Sequence, residues 1–334
     1  MKILISDSDG HNAYAEKQYL LESELGSQPG FEVEIYPYCA DGTGNAARQE
    51  FINRVSGADA LITAFVPIDK NVIDAAAKAK KLKCISLDAT GFSDVDTKYA
   101  KEKNITVMAI EEYCTKEVAE HAISLIMALN RGLKFYTKDV EQNNNWDYSD
   151  CYNLKRVEGQ KLGIFGYGRI GKEVAKKAKA LGMKVYFYDE YVKTPDSDTD
   201  IIKTSPQYIL ENCDIISNHM AQTKENYHYF NRQTFSTMRQ HPVFINVARG
   251  AAVDEEALCE ALDNGTVRGA GLDVLSSEIP DLKSCRLLRR DNVIITPHSA
   301  FFSEQSEYLL RKTACDNLIN YFKGRIEKIH RIVN

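Results

Sequence analysis

The chain has 334 residues, of which 44% are hydrophobic and 27% charged, and a formal net charge of −5. That length and balance fit a globular protein of two domains, each able to bury its own core. The mild acidity and the absence of a long basic block argue against nucleic acid or a membrane surface as general partners, because phosphates and anionic lipids reward clustered Lys and Arg.

The first run, "KILIS", is a strand, and it is too short to be a signal-peptide core. The helical pattern "AYAEKQYLLESEL" follows, then the strand "FEVEIYPY" and the helix "NAARQEFINRV". Next come "ADALIT", "KNVIDAAAKA", "LKCISLD", "DVDTKYAKEKN" and "ITVMAI", again strand and helix in turn. Short β-rich runs alternating with helices of this length predict a parallel sheet covered on both faces.

From residue 114 the pattern "CTKEVAEHAISLIMALNRGLKFYTKDV" predicts one long helix, apolar on more than one face and therefore buried between domains or between subunits. The Asn- and Tyr-rich "EQNNNWDYSDCYN" predicts a loop. A second βα series runs from "GQKLGIFGYGRIG" to "DNVIITPH", and "SEQSEYLLRKTACDNLINYFKGR" closes the chain as a helix. The domains are expected to span residues 1–107 with 300–334, and 108–299, with a cleft between them. No apolar run reaches the length of a membrane span. The eight cysteines lie far apart without metal-ligand spacing, so they read as reduced thiols in the cytoplasm, and no metal is expected.

Gly166, Gly168 and Gly171 form GxGxxG between the apolar "LGIF" and the helical "GKEVAKKAKAL". In that context the glycines permit a tight turn, admit a pyrophosphate and let strand and helix pack closely, while the helix N-terminus faces the phosphates. Asp189 ends the next strand, where a carboxylate can accept bonds from ribose hydroxyls. With Glu190 beside it and no arginine following, a 2′-phosphate would be repelled, so the expected cofactor is NAD.

Further on, polar residues end apolar strands, where doubly wound sheets place their ligands. Arg249 follows "VFINVA", Asp273 lies in "GLDV", Glu278 five residues later, and His298 ends "VIITPH". An arginine, a carboxylate and an imidazole at such ends can bind a carboxylate, tune the imidazole and move a proton. Singly, each has a plainer reading: a surface ion pair, a loop residue, a hydrogen-bonded core histidine.

The stretches "EVAEHAISLIMALNR", "GIFGYGRIGKEVAKKAKALGM", "INVARGAAVDEEALCEALDNGTVRGAGLDV" and "ITPHSAFFSEQ" together resemble the D-isomer-specific 2-hydroxyacid dehydrogenase family over nearly the whole chain. The last stretch most resembles the branch containing the C-terminal-binding-protein corepressors. The resemblance implies a Rossmann NAD-binding domain, a smaller flavodoxin-like α/β substrate domain, and NAD-dependent interconversion of small 2-keto and 2-hydroxy acids by a homodimer.

It also implies roles. Arg249 binds the substrate carboxylate and polarises the keto oxygen, His298 is the acid/base and Glu278 bonds it from behind. A nearby carboxylate favours the charged imidazole, whose reference pKa is about 6.5. Arg169, Ile170, His219, Val247, Ala248 and Asp273 line the cofactor, Asp273 near the nicotinamide carboxamide. Thr90 and Gly91 cap the substrate carboxylate. Tyr113 faces substrate or packs at the hinge, and Phe301 meets the substrate side chain or packs in the core. Phe302 is read as packing and His121 as structural.

Some positions depart from the family pattern. Ala221 stands in place of a usual proline, and Pro280 follows Glu278 by two residues rather than one. Leu87 and Asp88 stand where some relatives carry a basic residue, so no cation is expected near that loop to meet a phosphorylated substrate. The alternatives are an NADH-sensing interaction module like the corepressors and a phosphite dehydrogenase-like enzyme. Glu278 weighs against formate dehydrogenases, which carry glutamine there.

Overall fold

The computed structural model describes residues 1–7, 25–36, 45–64, 66–92, 94–151, 154–192 and 200–334. Most of the helix expected in "AYAEKQYLLESEL" lies outside them. The chain divides into two compact units, Met1–Tyr113 with Ser303–Asn334, and Cys114–Phe302. Both joints fall a few residues later than the sequence reading drew them. Ile110 is fully buried in the first unit's core, and Phe301 packs against the second's.

The first unit begins with β1 (Lys2–Asp7), β2 (Glu32–Ile35), α1 (Asn45–Gly57), β3 (Ala60–Ala64), α2 (Lys70–Ala79), β4 (Cys84–Leu87), α3 (Thr97–Glu102) and β5 (Thr106–Ala109). Every residue of β3 and β4 is buried, as expected of strands covered on both faces. Helix α2 shows how local chemistry sets an element's bounds. Asp69 caps it by accepting from the amides of Asn71 and Val72, and Lys80 ends it in the left-handed conformation. Val72, Ile73 and Ala76 form its buried stripe.

The second unit contains α4 (Thr115–Asn130), α5 (Leu133–Asn143), β6 (Lys161–Phe165), α6 (Arg169–Ala180), β7 (Lys184–Tyr188), β8 (Ile201–Lys203) and α7 (Pro206–Asn212). It continues through β9 (Ile215–Asn218), α8 (Arg232–Ser236), β10 (Val243–Asn246), α9 (Glu255–Asp263), β11 (Gly269–Leu272) and β12 (Val293–Ile295). The seven strands are parallel in the order β12-β11-β10-β9-β6-β7-β8. The order reverses beside β6, the switch point at which doubly wound sheets open a ligand crevice.

The single helix expected over 114–140 is two. Gly132 breaks it at φ +61°, where a Cβ would lie 2.8 Å from Cys151 Sγ. Before the break, Val118, Ala119, Ala122, Leu125 and Ile126 seal α4 onto the core.

The chain then returns to the first unit as α10 (Glu304–Phe322) and β13 (Arg331–Ile332). Ser303 and Ser306 close a reciprocal capping box at the start of α10. Strand β13 adds antiparallel to β5, giving the order β13-β5-β4-β3-β1-β2, flavodoxin-like in its parallel part. Ser86 Oγ donates to the Ala314 carbonyl, tying α10 to the sheet.

Candidate active site

Because all strands of the second unit are parallel, their carboxyl ends share one edge. Reading across that edge, His298 follows β12, Asp273 and Glu278 follow β11, and Arg249 follows β10. His219 follows β9, Gly166 and Gly168 follow β6, and Asp189 follows β7. From β12 to β7 is five interstrand steps of about 4.8 Å, or roughly 24 Å, long enough for an extended dinucleotide to lie across the strand ends.

At β6 the fit to a dinucleotide is steric. Gly166 has φ +89°, and a Cβ there would meet the His219 backbone at 2.7 Å. A Cβ on Gly171 would be 2.2 Å from the Gly166 carbonyl, so helix and loop close only on glycine. A Cβ on Gly168 would meet nothing within 4 Å, and no side chain caps the N-terminus of α6 there. That end of the helix presents an open cradle with positive dipole character. Arg169 is exposed and Ile170 half-buried against the core.

The Asp189 carboxylate accepts from the Tyr167 amide at 2.8 Å and from the amides of Tyr191 and Val192 at 2.8 and 3.1 Å. These bonds hold a negative charge beside the loop. His219 Nε2 lies 2.7 Å from Ser217 Oγ, while its Nδ1 is sealed from solvent without a partner. Burial pushes the imidazole pKa down to about 3, so His219 is a neutral wall of this edge.

At β10 the turn is built by two buried asparagines. Asn218 Nδ2 donates to Asn246 Oδ1 at 3.0 Å, the same oxygen accepts from the Ala248 amide, and Asn246 Nδ2 donates to the Arg249 carbonyl at 3.0 Å. Val247 is buried and Ala248 half-buried. A Cβ on Gly250 would sit 1.7 Å from the Leu275 carbonyl oxygen, so the turn presses against the loop after β11. Arg249 is exposed, and its Nη1 donates to the Ala248 carbonyl at 2.7 Å.

In the loops that follow β12 and β11, His298 Nδ1 and Glu278 Oε2 are 2.7 Å apart, with side chains 38% and 66% exposed. The carboxylate can only accept, so Nδ1 carries the proton and Nε2 the lone pair. His298 has φ +50°. The buried Asp273 holds this turn: its carboxylate accepts from Thr296 Oγ1 and from the amides of Ser299 and Ala300, and its carbonyl accepts from the His298 amide. The Phe301 ring stands edge-on to the His298 ring, 6.2 Å between centroids. Phe302, expected to be the packing member of the pair, is the more exposed one at 45%, because Phe301 takes the place against the core.

In the first unit, Thr90 and Gly91 are exposed in the loop after β4, and Tyr113 is half-buried against the core. The expectation of no cation near Asp88 is corrected. Arg311, from α10, lies 3.3 Å from Asp88 and 3.5 Å from Glu307. Its charge is met by two carboxylates.

The family model for the D-isomer specific 2-hydroxyacid dehydrogenase NAD-binding domain matches residues 123–300. The glycerate dehydrogenase of Methylorubrum extorquens is 34% identical over 289 residues, covering 84% of this chain and 88% of that one. The glyoxylate reductase of Korarchaeum cryptofilum is 32% identical, covering 84% of each. The D-lactate dehydrogenase of Aquifex aeolicus, solved with NAD and lactic acid, superposes with a TM-score of 0.81 at 28% identity, covering 99% of this chain and 98% of that one.

The chain belongs to the D-isomer-specific 2-hydroxyacid dehydrogenase family. It is an NAD-dependent oxidoreductase fold, and the second unit is its NAD-binding domain. Among the described residues no helix is long and apolar enough to cross a membrane, and no group of His, Cys, Asp or Glu is placed to hold a metal.

Sequence reasoning did not single out Asn218, Asn246 or Thr296. The signal it passed over is a polar residue closing, or directly following, an otherwise apolar strand. In a buried setting such a residue must find a hydrogen-bond partner.

Proposed function

We propose that this dehydrogenase reduces a small, unphosphorylated 2-keto acid with NADH, and that His298 is the acid/base. The observation carrying the reading is the 2.7 Å contact of His298 Nδ1 with Glu278, which fixes the tautomer and frees Nε2. When bound, NADH supplies the hydride. Gly166, Gly168, Arg169 and Ile170 hold its pyrophosphate at the start of α6, Asp189 its ribose, and His219, Val247, Ala248 and Asp273 its nicotinamide half.

On this reading Arg249 turns from the Ala248 carbonyl to the substrate carboxylate and keto oxygen, which offer a stronger, charge-assisted partner. Protonated His298 donates from Nε2 to the keto oxygen, and Glu278 stabilises the imidazolium. In the oxidative direction neutral Nε2 takes the hydroxyl proton. Thr90 and Gly91 are assigned to the substrate carboxylate, and Phe301, beside the imidazole, to the substrate side chain. Tyr113 is assigned to the substrate side of the first unit. The pairing of Arg311 with Asp88 and Glu307 supports an unphosphorylated substrate, since that cation is already neutralised.

We further assign a cytoplasmic homodimer joined through α4, α5 and the loop that follows. Trp146 and Tyr148 support this, being 91% and 87% exposed on that loop.

The test is NADH oxidation over pyruvate, glyoxylate, hydroxypyruvate, branched and aromatic 2-keto acids and a phosphorylated analogue, with NADPH as the contrast. The Arg249→Ala variant should lose about a hundredfold or more in kcat/KM while NADH binding stays intact. Turnover of none of these acids, or an unimpaired variant, overturns the reading.

A further inference from the structure

His121 lies on α4, far in sequence from His298. Its Nε2 is 2.9 Å from Thr296 Oγ1, and Thr296 Oγ1 is 2.5 Å from Asp273 Oδ1. The polarity of this chain follows from valence. Asp273, ionised, can only accept, so the threonine hydroxyl donates to it. That hydroxyl has one proton, so toward His121 it accepts, and His121 must carry its proton on Nε2.

Asp273 is 1% exposed, and the same carboxylate takes the amides of Ser299 at 2.9 Å and Ala300 at 3.0 Å. The His298 amide donates to the Asp273 carbonyl at 2.8 Å. The residues gripped by Asp273 therefore bracket His298: Thr296 two positions before it, Ser299 and Ala300 immediately after. Between them His298 is held at φ +50°, a left-handed conformation that strains a non-glycine residue. A backbone so strained keeps its shape only when its surroundings hold it.

We infer that His121 is a positioning residue for His298, acting through Thr296 and Asp273. The inference rests on the acid/base reading of His298. The imidazole N–H orients the Thr296 hydroxyl, the hydroxyl fixes Oδ1, and the carboxylate fixes the turn that aims the His298 ring. The His121 Nε2 is 3.6 Å from Asp273 Oδ1, so it also sets a polar group against the buried charge. Gln at position 121 can donate in the same direction, whereas Leu cannot.

The test compares His121→Leu, His121→Gln, Thr296→Val and the His121→Leu/Thr296→Val double variant. In the 2-keto acid assay, His121→Leu should lower kcat at least tenfold with the Kd for NADH within about twofold of the parent. His121→Gln should recover kcat to within about threefold, and the double variant should be no slower than Thr296→Val alone. A second readout needs neither substrate nor cofactor. In 15N-histidine-labelled protein, the His298 amide should exchange at least tenfold faster with solvent in His121→Leu and at the parent rate in His121→Gln. An unchanged kcat and amide in His121→Leu overturn the inference, as does a His121→Gln variant as impaired as His121→Leu. If the amide responds but the parent turns over no keto acid, the coupling stands and the acid/base reading fails.

Discussion

His219 shows how much one sealed nitrogen can matter. Its Nδ1 has no partner and no solvent, and burial pushes its pKa from 6.5 down to about 3. The unfolded chain takes up this proton near pH 6.5 and the folded one only near pH 3. The stability it contributes is therefore complete above pH 6.5 and is lost as pH falls toward 3. From pH 7 to pH 5 the loss should approach about 2 kcal/mol, bounded by one proton at about 1.4 kcal/mol per pH unit. Urea denaturation at the two pH values should show that difference for the parent. It should be smaller in His219→Gln, which can still bond Ser217 and does not titrate. Equal slopes would mean that His219 charges freely in the fold. At the same scale, strand-end placement of Arg249, Asp273 and His298 was legible, because each follows an apolar run. What each touches was not. The clamp around His298 joins residues 121, 273, 296, 299 and 300, and no spacing rule connects a helix at 121 with a turn at 298.

Among the elements, β3, β4, β6 and β10 were legible because parallel strands covered on both faces leave nearly continuous apolar runs. The helix over 114–140 was misread because its apolar residues continue past Arg131, and periodicity does not register one residue of opposite handedness. Gly132 supplies that residue, and Cys151 and Leu154 pack where its side chain would be. The buried Asn130 reinforces the stop, bonding Gln160 and Arg268 while donating back to the Ile126 carbonyl. Gly132→Ala should therefore cost about 1–2 kcal/mol for the left-handed backbone alone, and more if Cys151 cannot give way. A thermal melt checks this. An unchanged melting temperature would show that α4 and α5 can join without cost. Strand β13 escaped notice for a different reason: two exposed residues carry no pattern, and only the edge of β5 makes them a strand.

For the whole molecule, the lone tryptophan gives the assembly its own reporter. Trp146 is 91% exposed, two residues from the almost equally exposed Tyr148. Both sit beyond α5, on a loop anchored by the Tyr136 hydroxyl to the Tyr148 carbonyl and by Asn145 to Asp139 and Asp150. An anchored loop displaying bare aromatic rings suits association, because little ordering entropy remains to be lost when the rings are covered. If the homodimer forms through this face, Trp146 emission should be blue-shifted and poorly quenched by acrylamide at micromolar concentrations, and gel filtration should give twice the chain mass. Trp146→Ala should raise the dimer dissociation constant by tenfold or more, as expected for a tryptophan at the centre of an interface, with the fold's thermal transition retained at high protein concentration. A monomer in gel filtration, or a solvent-quenched Trp146 within a dimer, would remove this face as the contact.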